Sequence, residues 1–308
     1  MKIGIDYGGT KIEAIALSDQ GEERARLRVR TPGGDYDASI LALRDLVFAL
    51  EAETGDRAPA VGMGIPGSVS PVTGLVRNGN SVWLNGRAFD RDLADAVGRP
   101  VRVANDANCF ALSEATDGAG AGARVVFGTI TGTGVGGGVV VGGKVLGGAS
   151  GIGGEWGHNA LQRPHKSELP GQLCWCGRIG CLETWLSGPA LEADHARTVG
   201  LAPGDGPRAH EIAKAAAAGD MAAQATLDRH ADRFGRALAS IVNVLDPDVV
   251  VLGGGLSNLA GLPERIAVAM APHVFSDMVG TKIVRNIHGD SSGVRGAAWL
   301  WDSEETPA

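Results

Sequence analysis

Three thiols crowd into one short stretch, Cys174-Trp175-Cys176-Gly177-Arg178-Ile179-Gly180-Cys181. In a reducing compartment such crowding reads as metal binding before it reads as disulfides. Zinc takes four ligands in a tetrahedron, and three cysteines with one histidine form a standard structural set. Two upstream histidines compete for the fourth place. His158 follows the glycine-rich run Gly151–Gly157, whereas His165 lies beside Lys166 and Ser167 in a polar stretch that reads as solvent-exposed. The expectation is a structural Zn2+ held by His158, Cys174, Cys176 and Cys181, with a set of buried free thiols as the alternative. Cys109 stands apart and reads as a small buried residue.

A second chemistry is written in glycine. Asp6-Tyr7-Gly8-Gly9-Thr10-Lys11 and Thr131-Gly132-Thr133-Gly134-Val135-Gly136-Gly137 each follow a strand-like run, and a third run, Gly253-Gly254-Gly255, follows another. Bare backbone N–H groups in such turns bind anions, and Thr10, Thr131 and Thr133 add hydroxyl donors. Asp6 is placed to hold Mg2+ through water, and Lys11 to offset phosphate charge. Neither turn is a Walker A loop or a good Rossmann fingerprint. Each alone could be an ordinary hairpin, but the three together favour a nucleotide site.

Asp106 lies at a strand-to-helix junction between Asn105 and Asn108. A carboxylate there can accept a proton from a substrate hydroxyl, or it can simply cap the helix. Glu155 and Glu183 flank the metal cluster. A zinc loop would gather them, which suits the hydroxyls of a polyol; otherwise they are surface charges.

These residues need elements to hold them. Short apolar runs at Lys2–Ile5, Lys11–Leu17 and Glu22–Arg30 read as strands joined by hairpin-like turns. Tyr36–Thr54 carries Ile40, Leu43, Leu46, Val47 and Leu50 at helical spacing. Ala60–Ile65 and Val101–Ala104 are further strands, and a helix follows from Asn105 or Asp106 to Thr116. Small residues over 117–122 mark a crossing into a second domain, whose strands Val125–Ile130 and Gly138–Val141 repeat the opening of the first. Met221–Val244 is the longest helix, Val249–Leu252 a buried strand and Ser292–Trp301 a last helix, with a frayed tail over Asp302–Ala308.

The composition is consistent with this reading. Glycine supplies 48 of 308 residues, yet 44% of the chain is hydrophobic, so neither collagen nor disorder fits. A net charge of −7 with no basic block argues against nucleic acid. No apolar run suits a membrane span or a signal peptide, so a cytoplasmic protein is expected.

Asp6–Lys11, Ala104–Cys109, Thr131–Gly137, Glu155-x-Gly157-His158, Cys174–Glu183 and Leu252–Gly255, in this order and spacing, resemble the ROK-family sugar kinases of the actin-like ATPase superfamily. The resemblance covers essentially the whole chain. More narrowly, Gly62–Ser68, Asn78–Asn85 and His288–Trp299 resemble the bacterial fructokinase, or manno(fructo)kinase, branch, as does the long stretch between His158 and Cys174. The resemblance implies an α/β protein of two ribonuclease H-like domains with an interdomain cleft. The smaller domain would span residues 1–117, with the last helix, 292–302, packing back on it; the larger would span 118–291.

The resemblance also assigns roles. ATP phosphates would be held by Gly8, Gly9, Thr10, Lys11, Thr131, Gly132, Thr133 and Gly134, with Gly253, Gly254 and Gly255 near the nucleoside. Asp106 becomes the general base. Gly67, Asn80, Asn105, Glu155, His158 and Glu183 would line the sugar site, with His158 serving both the zinc and a sugar hydroxyl. The implied activity is MgATP-dependent phosphorylation of a hexose, D-fructose at O6 foremost, in a homodimer. Glucose, mannose or an N-acetylhexosamine is the alternative substrate, and a non-catalytic sugar-binding regulator the alternative function. A regulator's N-terminal helix-turn-helix would have to precede a phosphate turn that already begins at Asp6.

Overall fold

The computed structural model describes residues 1–202, 204–289 and 292–301. The expected tail Asp302–Ala308 lies outside them, as do Asp290 and Ser291 of the His288–Trp299 motif. The chain divides into two compact units, the first formed by Met1–Gly122, Gly138–Gly154 and the segment from His288, the second by Ala123–Gly137 and Glu155–Ile287. Relative to the expected boundary after residue 117, the first unit keeps five more residues and takes back the 138–154 segment. The close packing of Gly138 explains the latter: a Cβ there would lie 2.7 Å from the Ala107 carbonyl oxygen.

In the first unit, β1 (Lys2–Tyr7), β2 (Lys11–Leu17) and β3 (Glu23–Arg30) lead to α1 (Tyr36–Thr54) and β4 (Val61–Ile65). The short strands β5 (Ser68–Val69) and β6 (Val76–Arg77), then α2 (Phe89–Val97), β7 (Val101–Asn105) and α3 (Asp106–Thr116), complete its first segment. The sheet order is β3-β2-β1-β4-β7. β1 pairs antiparallel with β2 and parallel with β4, and β4 is parallel to β7. This is the mixed sheet that two consecutive hairpins followed by crossover helices must give.

Alternation along β1 decides what each side chain does. Ile3, Ile5 and Tyr7 enter a core with Leu43, Leu46, Val47 and Leu50 of α1. Gly4 and Asp6 point the other way, towards α9 (Ser292–Ala298). α9 lies so close to the sheet that a Cβ on Gly4 would stand 2.2 Å from the Val294 carbonyl oxygen, and one on Gly62 1.8 Å from that of Ala297. α9 ends at Ala298, short of the expected Trp301: Trp299 and Leu300 donate their amides to Gly296 and Ala297, tightening the last turn.

The second sheet has the order β10-β9-β8-β11-β12, from β8 (Val125–Thr131), β9 (Val135–Val141), β10 (Lys144–Val145), β11 (Val249–Gly253) and β12 (Lys282–Arg285). β11 is parallel to both β8 and β12. The helices of the second unit are α4 (Glu183–Leu186), α5 (Gly188–Thr198), α6 (Ala209–Ala217), α7 (Met221–Leu245) and α8 (Leu262–Met270). α7 is capped by Asp220, whose side chain accepts from the Ala223 amide. Among the described residues no helix is long and apolar enough to cross a membrane.

Candidate functional site

In the first unit the Asp6–Lys11 turn closes the β1–β2 hairpin, with the Gly8 amide bonded to the Lys11 carbonyl. Thr31 Oγ1 donates to the Gly8 carbonyl and fixes the turn from behind. Gly9 has no positive φ, and a Cβ on it would touch only Ser81 Oγ, at 3.9 Å. Neither backbone strain nor protein packing therefore demands glycine there; the bare surface faces outward. Lys11 sits 3.8 Å from Glu13, a buried carboxylate that also pairs with Arg26 and Arg28. The expected phosphate partner is thus held by a protein carboxylate in this structure.

Asp6 and Asp106 come together. Burial, then the Asp106 carboxylate and Glu13, push the Asp6 carboxyl up to about 6, against a smaller pull from Lys11. Among the described residues Asp6 makes no hydrogen bond or ion pair. A hard divalent cation suits such a carboxylate, because oxygen ligands are what Mg2+ takes. Asn105, not Asp106, caps α3, accepting from the Ala107 amide. Asp106 is the first helical residue and is exposed, with Oδ1 also accepting from the Ala107 amide. Asn105 therefore takes the capping place that Asp106 could have had.

The expected sugar residues of this unit divide by role. Asn105 spends its side chain on the Ala107 amide and, through Nδ2, on the Gly67 carbonyl. It therefore positions the Gly67 turn rather than presenting a free amide. Gly67 has φ +91°, and a Cβ would collide with the Arg77 carbonyl at 2.4 Å. Asn80 is exposed. Next to it Asn85, which sequence reasoning missed, clamps both the amide and the carbonyl of Gly79. Cys109 is buried, as expected, and its thiol is pushed well above its ordinary value by burial, then by Asp6 and Asp106.

In the second unit the Thr131–Gly137 turn joins β8 to β9. Its Gly132 amide bonds to the Gly134 carbonyl, and the Gly188 amide at the start of α5 bonds back to Gly132. Thr131 Oγ1 donates to the Gly253 carbonyl at 3.4 Å, which brings the second and third glycine runs together. A Cβ on Gly254, at φ +77°, would lie 2.4 Å from the Thr131 carbonyl oxygen. Gly132 and Gly255 lack a positive φ, and a Cβ there would come no nearer than 4.0 Å to protein. Like Gly9, they leave backbone open for a ligand. Thr133 is exposed.

The metal ligands converge. The ligand atoms of His158, Cys174, Cys176 and Cys181 all lie within 4.8 Å of one another. Cys176 and Cys181 sulfurs are 3.6 Å apart, and Cys174 Sγ is 3.6 Å from His158 Nδ1. A tetrahedral zinc with bonds of about 2.3 Å places its sulfurs about 3.8 Å apart, so the set fits. All four cysteines are free. Burial and the neighbouring thiols push Cys181 up to about 12, whereas the Arg178 amide helps to hold Cys176 below its ordinary value. Thiols this close ionise together only around a cation. With Nδ1 facing the sulfurs, His158 keeps Nε2 as the nitrogen open to another partner. His165 stays outside the set, exposed and 3.4 Å from Asp232.

Glu183 does more than flank the metal. Its Oε2 accepts from the Val135 amide at 3.0 Å and its Oε1 from the Trp175 indole at 2.6 Å. It braces the glycine turn against the metal loop, and it leaves no room for a side chain at Gly134, where a Cβ would stand 2.6 Å from Oε2. Glu155 is exposed. The 159–173 stretch hugs the metal loop through bridges Ala160–Cys181 and Leu173–Ile179. It is pinned by Glu168, whose carboxylate takes Arg233 and Arg236 of α7. In sequence Glu168 looks like a surface acid; only the spacing of two arginines on one face of α7 hinted at a buried partner.

The ROK family's sequence profile matches residues 2–304. The N-acetyl-D-glucosamine kinase of Photobacterium profundum is 39% identical over 97% of this chain and 99% of its own. Among solved structures, a ROK hexokinase from Thermus thermophilus superposes with a TM-score of 0.85 at 36% identity, covering 97% of each chain. A ROK glucokinase from Streptomyces griseus, in complex with glucose and AMPPNP, gives 0.77 at 29% identity over 97% of this chain and 98% of that one. The fold is that of the two-domain actin-like ATPases. The chain belongs to the ROK family.

Proposed function

We propose that this chain is an ATP-dependent sugar kinase and that its substrate is an N-acetylhexosamine, N-acetylglucosamine foremost. The observation that carries the substrate is the near full-length similarity to a protein named for that activity. The fructose expectation rests on local motifs in Gly62–Ser68, Asn78–Asn85 and His288–Trp299 and on the long stretch between His158 and Cys174, and it receives no support from these relatives. Nucleotide use is supported by three glycines, Gly9, Gly132 and Gly255, whose lack of a side chain nothing in the protein itself requires.

In this reading Asp106 accepts the proton of the sugar hydroxyl as its oxygen attacks the γ-phosphorus in line. Positioning and charge neutralisation supply most of the catalysis. Gly8–Lys11 and Thr131–Gly134 hold the phosphates, and Gly253–Gly255 lies near the nucleoside. Asp6 would hold Mg2+, which supplies charge neutralisation for the phosphates. Zinc on His158, Cys174, Cys176 and Cys181 would fix the loop that carries the sugar ligands Glu155, His158 and Glu183. Asn80 and the Gly67 turn complete the sugar side, with Asn105 holding the turn.

The test is ADP release from MgATP with N-acetylglucosamine, N-acetylgalactosamine, glucose, mannose and fructose in turn. An N-acetylhexosamine should give the highest kcat/KM. Fructose in first place overturns the substrate reading, and no sugar-dependent release overturns the kinase reading.

A further inference from the structure

One buried polar group near the phosphate turn has no use in the account so far. Ser81 is only 1% exposed, and its hydroxyl has no hydrogen-bond partner among the described residues. It precedes the 3-10 turn Val82–Leu84 yet does not cap it. The surrounding backbone is fixed. The Leu84 amide bonds to the Ser81 carbonyl, and the Trp83 indole donates to the Tyr7 hydroxyl at 2.9 Å, tying the loop to the end of β1. The missing partner is therefore not a product of a loose loop. An unpartnered buried hydroxyl is costly and calls for a reason.

The surroundings supply one. Among the described residues other than its chain neighbours, Ser81 Oγ alone comes within 4 Å of the Cβ position on Gly9, at 3.9 Å. In sequence it follows Asn80, assigned above to the sugar. The hydroxyl thus stands behind the bare face of the phosphate turn, next to the residue on the sugar side. We propose that Ser81 Oγ donates a hydrogen bond to a phosphoryl oxygen of the nucleotide seated on Gly8–Thr10. No hydrogen bond among the described residues holds the Ser81 hydroxyl in its present orientation, and Gly9 beside it is exposed. This inference rests on the nucleotide part of the proposed function and is independent of which sugar is used.

The experiment compares Ser81→Ala with the wild-type protein by three readouts. A hydroxyl that bonds nothing in the ligand-free protein can be removed without loss, so the melting temperature should hold or rise. A hydrogen bond to a charged oxygen should appear as an affinity for MgAMPPNP, measured by calorimetry, lower by about 10–100-fold. With the preferred sugar, kcat/KM for MgATP should fall by a similar factor while the KM for sugar stays within about twofold of wild type. Unchanged nucleotide affinity overturns the proposal, and so does a melting temperature lowered by several degrees, which would make Ser81 structural. A wild-type protein that binds MgAMPPNP but phosphorylates no sugar sinks the kinase reading instead, and the calorimetric comparison still decides Ser81.

Discussion

Asp6 is held in a place that costs the ligand-free protein something. A carboxyl raised to about 6 from an ordinary 3.8 contributes its full stability only below pH 3.8 and loses it as the pH rises through 6. Asp6→Asn removes a charge that burial and Asp106 disfavour. The variant should melt higher than wild type above pH 6, with the gap closing towards pH 4, and should lose most of its MgATP-dependent turnover. Melting curves across that range and an ADP-release assay check both halves. An unchanged melting temperature at pH 8 would mean that the Asp6–Asp106 repulsion is not felt. Asp6 was legible in sequence, because a carboxylate ending a strand before a glycine turn has few other uses. The engagement of Lys11 by Glu13 is legible only once both are placed in β2, where residues two apart share a face.

At the scale of elements, two anchors would hold the Cys174–Cys181 loop, the first of them through a bound metal. The first is the metal set itself. Cys176→Ser should lower the zinc content, measured by elemental analysis, from one equivalent and lower the melting temperature with it; wild-type protein without zinc would contradict the assignment. The second is Glu168. Burial alone would raise its carboxyl, but hydrogen bonds from Arg236, Arg233 and the His165 amide bring it down to about 2. That stability is present above the ordinary value of 4.5 and is lost as the pH falls towards 2. Glu168→Ala leaves Arg233 and Arg236 buried without it and should cost about 3–5 kcal/mol in denaturant unfolding. It should also flatten the acid dependence of stability between pH 4.5 and 2; a variant as stable as wild type would show that Asp194 and Asp232 suffice. The cysteine spacing announced the first anchor plainly. The second was hidden, because residues 159–173 carry no periodic pattern and their order comes from the long helix α7 beneath them.

Over the whole molecule, many glycines turn the chain at positive φ, and two further kinds bear on the site. Some glycines permit contact within the protein, as at Gly4, Gly62 and Gly134, where a Cβ would meet backbone or a carboxylate. Others, Gly9, Gly132 and Gly255, would place a Cβ no nearer than 3.9 Å to another described residue beyond their chain neighbours and fit a nucleotide. The order of strands and helices around the phosphate turns was readable from the sequence. The unit boundary was not, since the return of 138–154 to the first unit depends on packing against α3. Nor was the sugar, since hydroxyl selectivity depends on side-chain placement that short motifs do not fix.

In the proposed function, phosphoryl passes from ATP to a sugar hydroxyl with Asp106 taking the proton. Phosphorus NMR of the protein with MgATP and N-acetylglucosamine tests it most directly. Wild type should build up a sugar phosphomonoester resonance in step with ADP. Asp106→Asn should form it slower by about two or more orders of magnitude, with sugar affinity nearly unchanged. Inorganic phosphate as the only product, or an undiminished sugar phosphate signal from Asp106→Asn, would contradict the account.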